Sequence, residues 1–157
     1  MLARVLATVT LALCLAGCEG MIGGEELARI PLKRTADGGY EPVRILLRTD
    51  MNPVAMTLLA DFAWGRRDEA GLWNDYRVEL HSGDKVIATR DFQVNSPEKT
   101  DASASPAPNS LAHPMLLMDV PADGEYEIAI SAKKPAAVTL ESPHLGVCMK
   151  VPRSPQS

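Results

Sequence analysis

Three cysteines, three histidines and seven methionines give this 157-residue chain its widest chemical range. His113-Pro114-Met115-Leu116-Leu117-Met118 combines imidazole with thioether, and His144-Leu145-Gly146-Val147-Cys148-Met149 adds a thiol. Soft sulfur beside imidazole suits copper, Cu(I) above all. On that reading His113, Met115, His144, Cys148 and Met149 would be the metal ligands. If residues 113–118 formed a strand, His113 and Met115 would share a face. The competing reading makes Met115, Met118 and Met149 core fillers among Leu and Val, and makes His113 and His144, each beside a proline, loop-edge residues. No G-x-S-x-G occurs, no Cys stands at a recognised spacing from a His, and the carboxylates are scattered. No catalytic residue is assigned, and the chain is read as not an enzyme.

A second group is built for contact. The segment 63–76, AWGRRDEAGLWNDY, holds both tryptophans, an Arg pair and one of the three tyrosines. Trp, Tyr and Arg dominate interface energetics, and such a loop on a rigid scaffold makes a recognition surface. Trp64, Arg66, Arg67 and Trp73 are the candidate protein-binding residues. The alternative is that Trp64 and Trp73 plug the end of a core, while Asp68-Glu69 beside Arg66-Arg67 forms a solvated, salt-linked loop.

The elements that must position these groups read as strands. Val43-Arg44-Ile45-Leu46-Leu47-Arg48-Thr49 alternates, with Val43, Ile45 and Leu47 on one side and Arg44 and Arg48 on the other. Residues 54–62 fit a strand, or a helix opened by Asn52-Pro53; the strand is preferred because its neighbours are strand-like. The hairpin 76–81/86–94 turns at Ser82-Gly83-Asp84. Residues 29–34 suit an edge strand, and 115–120 form an apolar run fit for a strand covered on both faces. Residues 126–130, 136–140 and 145–151 complete about eight short strands between Pro/Gly/Asp turns. The expected fold is all-β, an antiparallel β-sandwich of immunoglobulin-like or jelly-roll-like type. Residues 95–110, NSPEKTDASASPAPNS, are a Ser/Pro/Ala stretch expected as a flexible loop inside that domain.

The composition limits the partners. Sixteen basic residues against 20 acidic ones give −4, with no Lys/Arg block. That excludes nucleic acid as a partner.

Residues 1–18, MLARVLATVTLALCLAGC, carry one basic residue, a short apolar run and then Leu15-Ala16-Gly17-Cys18. The run is short for a membrane span and suits a secretory leader. The tetrapeptide resembles the lipobox of bacterial lipoproteins. The resemblance implies cleavage before Cys18, a diacylglyceryl group on its sulfur, and acylation, such as palmitate, of the new amino terminus. Two or three acyl chains hold a protein stably at a membrane surface. By similarity to enteric lipoproteins, Glu19 in place of Asp leans towards the outer membrane. The processed chain would have 140 residues and a balance of −5. Cys14 would leave with the leader and Cys18 would carry lipid, so no intramolecular disulfide is expected in it. Cys148 is then expected to pack as a small buried hydrophobe.

The expected organisation is a signal peptide at 1–17, a flexible tether at 18–27, a β-sandwich at 28–152 and a disordered tail at 153–157. The expected role is a lipid-anchored periplasmic module, without a cofactor, that binds an envelope protein as a regulatory subunit or an inhibitor or immunity-type protein. The alternative is a periplasmic copper-binding or copper-chaperone lipoprotein.

Overall fold

The computed structural model describes residues 23–63, 67–96 and 110–153. It contains eight strands: β1 (Glu25–Pro31), β2 (Tyr40–Leu47), β3 (Val54–Phe62), β4 (Trp73–Ser82), β5 (Lys85–Asn95), β6 (Ser110–Met118), β7 (Gly124–Ala132) and β8 (Leu140–Met149). They form two four-stranded antiparallel sheets. Sheet A has the order β1-β8-β3-β6, and sheet B has the order β2-β7-β4-β5. The fold is the expected β-sandwich.

The pairing has a simple logic. β4 pairs with β5, β3 with β6, β2 with β7 and β1 with β8, like nested hairpins. The long ribbon so formed is rolled until β3 also meets β8 and β4 meets β7. That is jelly-roll connectivity, which selects between the two sandwich types expected.

Alternation in the sequence becomes two faces in the sheet. In β4, Asn74, Tyr76, Val78 and Leu80 are buried and the residues between them are not. In β3, Val54, Met56 and Leu58 join the inter-sheet core while Ala55, Thr57 and Leu59 face outward. The strand reading of 54–62 therefore holds. β3 pairs on both sides, and the ladder bonds outweigh the helix-start signal at Asn52-Pro53. That signal serves a turn instead: Asn52 donates to the Val120 carbonyl at 3.0 Å and accepts from the Val120 amide at 2.8 Å. Pro31, Pro42 and Pro114 lie in β1, β2 and β6, the outer strands of the sheets, where a missing N–H is tolerated.

Several boundaries differ from expectation. β1 begins at Glu25, paired with Met149, so the tether ends before residue 25 rather than at 27. β6 is not covered on both faces, since Leu117 is 54% exposed. Its consecutive buried residues, Met115 and Leu116, come from an irregularity opposite Met56/Thr57 that turns both inward. Residues 136–139 are not a strand, for a reason given below. Of the expected loop at 95–110, Asn95 belongs to β5 and Ser110 to β6, while 97–109 lie outside the described residues. Of the expected tail, Arg153 is described and pairs with Asp119. The leader, Cys14, Cys18 and Glu19 also lie outside the described residues.

The strand directions give the sandwich two unlike poles. At one pole lie the start of β1, the end of β8 and the short links 48–53, 83–84 and 119–123. At the other lie the connections 32–39 and 133–139, the ends of β3 and β5 and the starts of β4 and β6.

Candidate interaction surface

The second pole carries the contact residues that can be placed. Trp64 and Arg66 lie outside the described residues, as does the Arg67 side chain. Trp73 opens β4 on the outward face of sheet B and is 42% exposed. It does not plug the core. The alternation of β4 sends Asn74 and Tyr76 inward and Trp73 out. The Lys134 ammonium sits 4.0 Å from the Trp73 ring centroid and 3.5 Å from an Asp75 carboxylate oxygen. The lysine thus rests on the aromatic face with its charge balanced by Asp75, two residues along β4.

Two buried polar side chains fix the backbone beside this pair. Asn74 accepts from the amides of Ala137 and Val138, at 2.7 and 2.8 Å, and donates to the Val138 carbonyl at 2.8 Å. It also donates to the Tyr76 hydroxyl. Glu69, 6% exposed, accepts from the Thr139 amide and hydroxyl at 2.8 and 2.7 Å. The Lys133 amide donates to the Asp75 carbonyl. Residues 137–139 spend their amides on side chains, so they run as a clamped irregular segment and not as the strand expected at 136–140. Glu69 is correspondingly no part of a solvated loop, because Thr139 draws it into the protein. Asp68 is exposed.

The surrounding surface is ionic. Asp91 accepts from Arg77 and from Lys133, and these hydrogen bonds hold its carboxyl far below the usual carboxylate range. Between the Lys133–Ala136 backbone and Ala36, Asp37 and Gly38 of the β1–β2 connection lies a shallow hollow. Hydrogen bonds from the Thr35 hydroxyl and the Gly39 amide lower the pKa of Asp37. Asn74 and Lys134 were not singled out in the sequence, and Glu69 was expected only as part of a solvated loop. The pattern of β4, with a polar residue at an inward position, was the only signal for Asn74.

The copper candidates are placed differently. His113 pairs with Leu58 and His144 with Leu59, which are successive residues of β3. Successive residues face opposite sides of a sheet, so the two imidazoles lie on opposite faces of sheet A. Both are strand residues and not loop-edge ones. His113 faces inward and stacks on Phe92, centroids 5.0 Å apart. It ends a row of rings that runs through Tyr76 to Tyr40, whose hydroxyl is pushed above its ordinary pKa by burial. Met115 is fully buried in the core. His144 donates from Nδ1 to the Ser142 carbonyl oxygen at 2.7 Å on the outward face. Cys148 lies on that same outward face, four residues along β8, about 13 Å away. Met149 ends the strand, partly buried. The five are not gathered at a point. Cys148 is disulfide-bonded in the full chain, whereas the expectation of no disulfide was made for the processed one. Among the described residues, no three His, Cys, Asp or Glu side chains cluster as a metal site, and no helix is long and apolar enough to cross a membrane.

No family model, curated protein or solved structure matches this chain.

Proposed function

We propose that this chain is a cell-envelope lipoprotein, anchored through Cys18 on the periplasmic side of the outer membrane, that binds an envelope protein through its long-loop pole without catalysis. The observation that carries the reading is the polarity of the sandwich. The chain enters at Glu25, at one pole. Trp73, Lys134 and the strand ends that flank residues 64–67 and 97–109 belong to the other, about 30 Å away along the ten-residue β4. An anchor at one end and an exposed aromatic–cation pair on a clamped backbone at the other suit a module that presents a rigid contact surface away from its membrane. Anchoring also raises the local concentration available to a membrane-bound or incoming partner.

Two measurements test this. Cells expressing the full chain are fed an alkyne-tagged palmitate. Label on the protein that disappears in Cys18→Ser supports the anchor, and absence of label on the unmutated chain overturns it. The protein is then extracted from native membranes in mild detergent and its companions are identified by mass spectrometry. A stoichiometric companion lost in Arg66→Ala/Arg67→Ala supports the contact surface. A companion retained in that variant and in Trp73→Ala/Lys134→Ala removes it.

A further inference from the structure

We propose that the free edge of β5 takes up an extended, carboxylate-bearing segment of a partner protein as a fifth strand of sheet B, with a carboxylate on Arg90. The inference starts from the four outer strands, each of which has one side without a described neighbour. An open strand edge invites pairing, and proteins blunt it with proline or with bulges. β1 carries Pro31, β2 carries Pro42 and β6 carries Pro114, and each of the three pairs in an irregular register. β5 has no proline. Its residues 88–95 pair one to one with residues 80–73 of β4. Along that straight edge every second amide and carbonyl points away from β4.

Arg90 sets the chemistry of the occupant. It stands opposite Val78, which is fully buried, so the alternation of β5 aims it at the inter-sheet side. It is exposed all the same, because β5 and β6 are outer strands on one side of the sandwich and its guanidinium lies in the gap between them. There it donates to the Met115 carbonyl of β6 at 3.2 Å, and it makes no ion pair among the described residues. Phe92 and His113 stack across the same gap. Burial and then the Arg90 cation lower the pKa of His113, as expected of a charge that no carboxylate neutralises locally.

A strand laid beside β5 sets alternate side chains over this gap. A carboxylate among them gives Arg90 a charge-assisted hydrogen bond, and an apolar neighbour covers Phe92. On the other face Asp91 does not oppose an acidic strand, because Arg77 and Lys133 already neutralise it. A second copy of β5 is a poor occupant, since it would bring its own Arg90 to the same gap. In this mode of binding the main-chain bonds supply affinity and the alternate side chains supply selection. The inference rests neither on the lipid anchor nor on the Trp73–Lys134 surface.

The test adds short synthetic peptides to the full chain in detergent micelles, one alternating valine with glutamate and one alternating valine with lysine. The glutamate peptide should bind and slow hydrogen exchange at every second amide from Thr89 to Asn95 by about tenfold or more, read residue by residue by NMR. The lysine peptide should not bind. Arg90→Lys should keep the binding, whereas Arg90→Ala and Arg90→Glu should weaken it by about tenfold or more with the melting temperature unchanged. No binding of the glutamate peptide, protection on β1, β2 or β6 instead of β5, equal binding of the two peptides, or full binding to Arg90→Ala each overturns the proposal.

Discussion

Asn74 holds both backbone polar groups of Val138, accepting from its amide at 2.8 Å and donating to its carbonyl at 2.8 Å. The side chain is 2% exposed, and its oxygen takes a second amide, that of Ala137. One buried amide group thus replaces the strand partner that residues 137–138 lack. Asn74→Ala should destabilise the domain by about 3 kcal/mol, because it leaves backbone groups buried and unpaired. Urea denaturation of the variant measures this. A loss below about 1 kcal/mol would mean that water replaces the bonds and that the segment is not clamped.

Glu69 acts on the next residue, Thr139. Since Asn74 and Glu69 fix one short segment, their removals should not add. A double-mutant cycle with Asn74→Ala and Glu69→Ala should give a combined loss smaller than the sum, by about 1 kcal/mol. Additive losses would show two independent contacts and would weaken the idea of one rigid platform beneath Lys134.

Much of the fold was legible because the strands alternate. The hairpin of β4 and β5 and the outward arginine of β2 follow from period-two burial. The roll of the ribbon was not legible. The pairing of β1 with β8 joins residues more than 110 positions apart, and no local pattern encodes it. His113 and His144 looked like loop-edge residues because prolines flank them. An outer strand accepts Pro114, and at Pro143 the pairing of β3 with β8 shifts between Leu59 and Asp61, beside Ser142 with φ 47°. The pole surface was half legible. Trp73 announces itself by type, whereas Lys134 becomes relevant only when the 133–139 segment is folded back beside β4.

Lys134 on Trp73 is a surface pair, so its removal should be mild for the fold. Trp73→Ala and Lys134→Ala should each cost about 1 kcal/mol or less. Each should nonetheless weaken capture of the membrane companion by about tenfold or more, since exposed aromatic anchors carry a large share of binding energy. Circular dichroism melts and detergent pull-downs on the same preparations separate the two effects. Strong destabilisation with unchanged capture would assign the pair to architecture.

The pH dependence of stability should have a limb that belongs to His113. Burial first, and then the Arg90 cation, lower its pKa below the ordinary imidazole value of 6.5. Above that value the ring is neutral in both the folded and the unfolded chain, and it contributes nothing to the slope. As pH falls through it, the unfolded chain takes up a proton that the folded chain resists, so stability declines until the lower folded value is passed. Carboxylates act in a separate window. The pKa of Asp91 is lowered by hydrogen bonds from Arg77 and Lys133, and that of Asp123 by the Thr49 amide and hydroxyl. Their stabilisation is present above the ordinary carboxylate pKa of about 4 and is lost as pH drops below it. His113→Phe keeps a ring against Phe92 and removes the titration. Urea midpoints from about pH 7.5 to 3.5 should fall in two stages for the unmutated protein and only in the lower stage for the variant. A variant that still loses stability between about pH 6.5 and 5 would place the upper limb on another group and leave His113 a packing residue only.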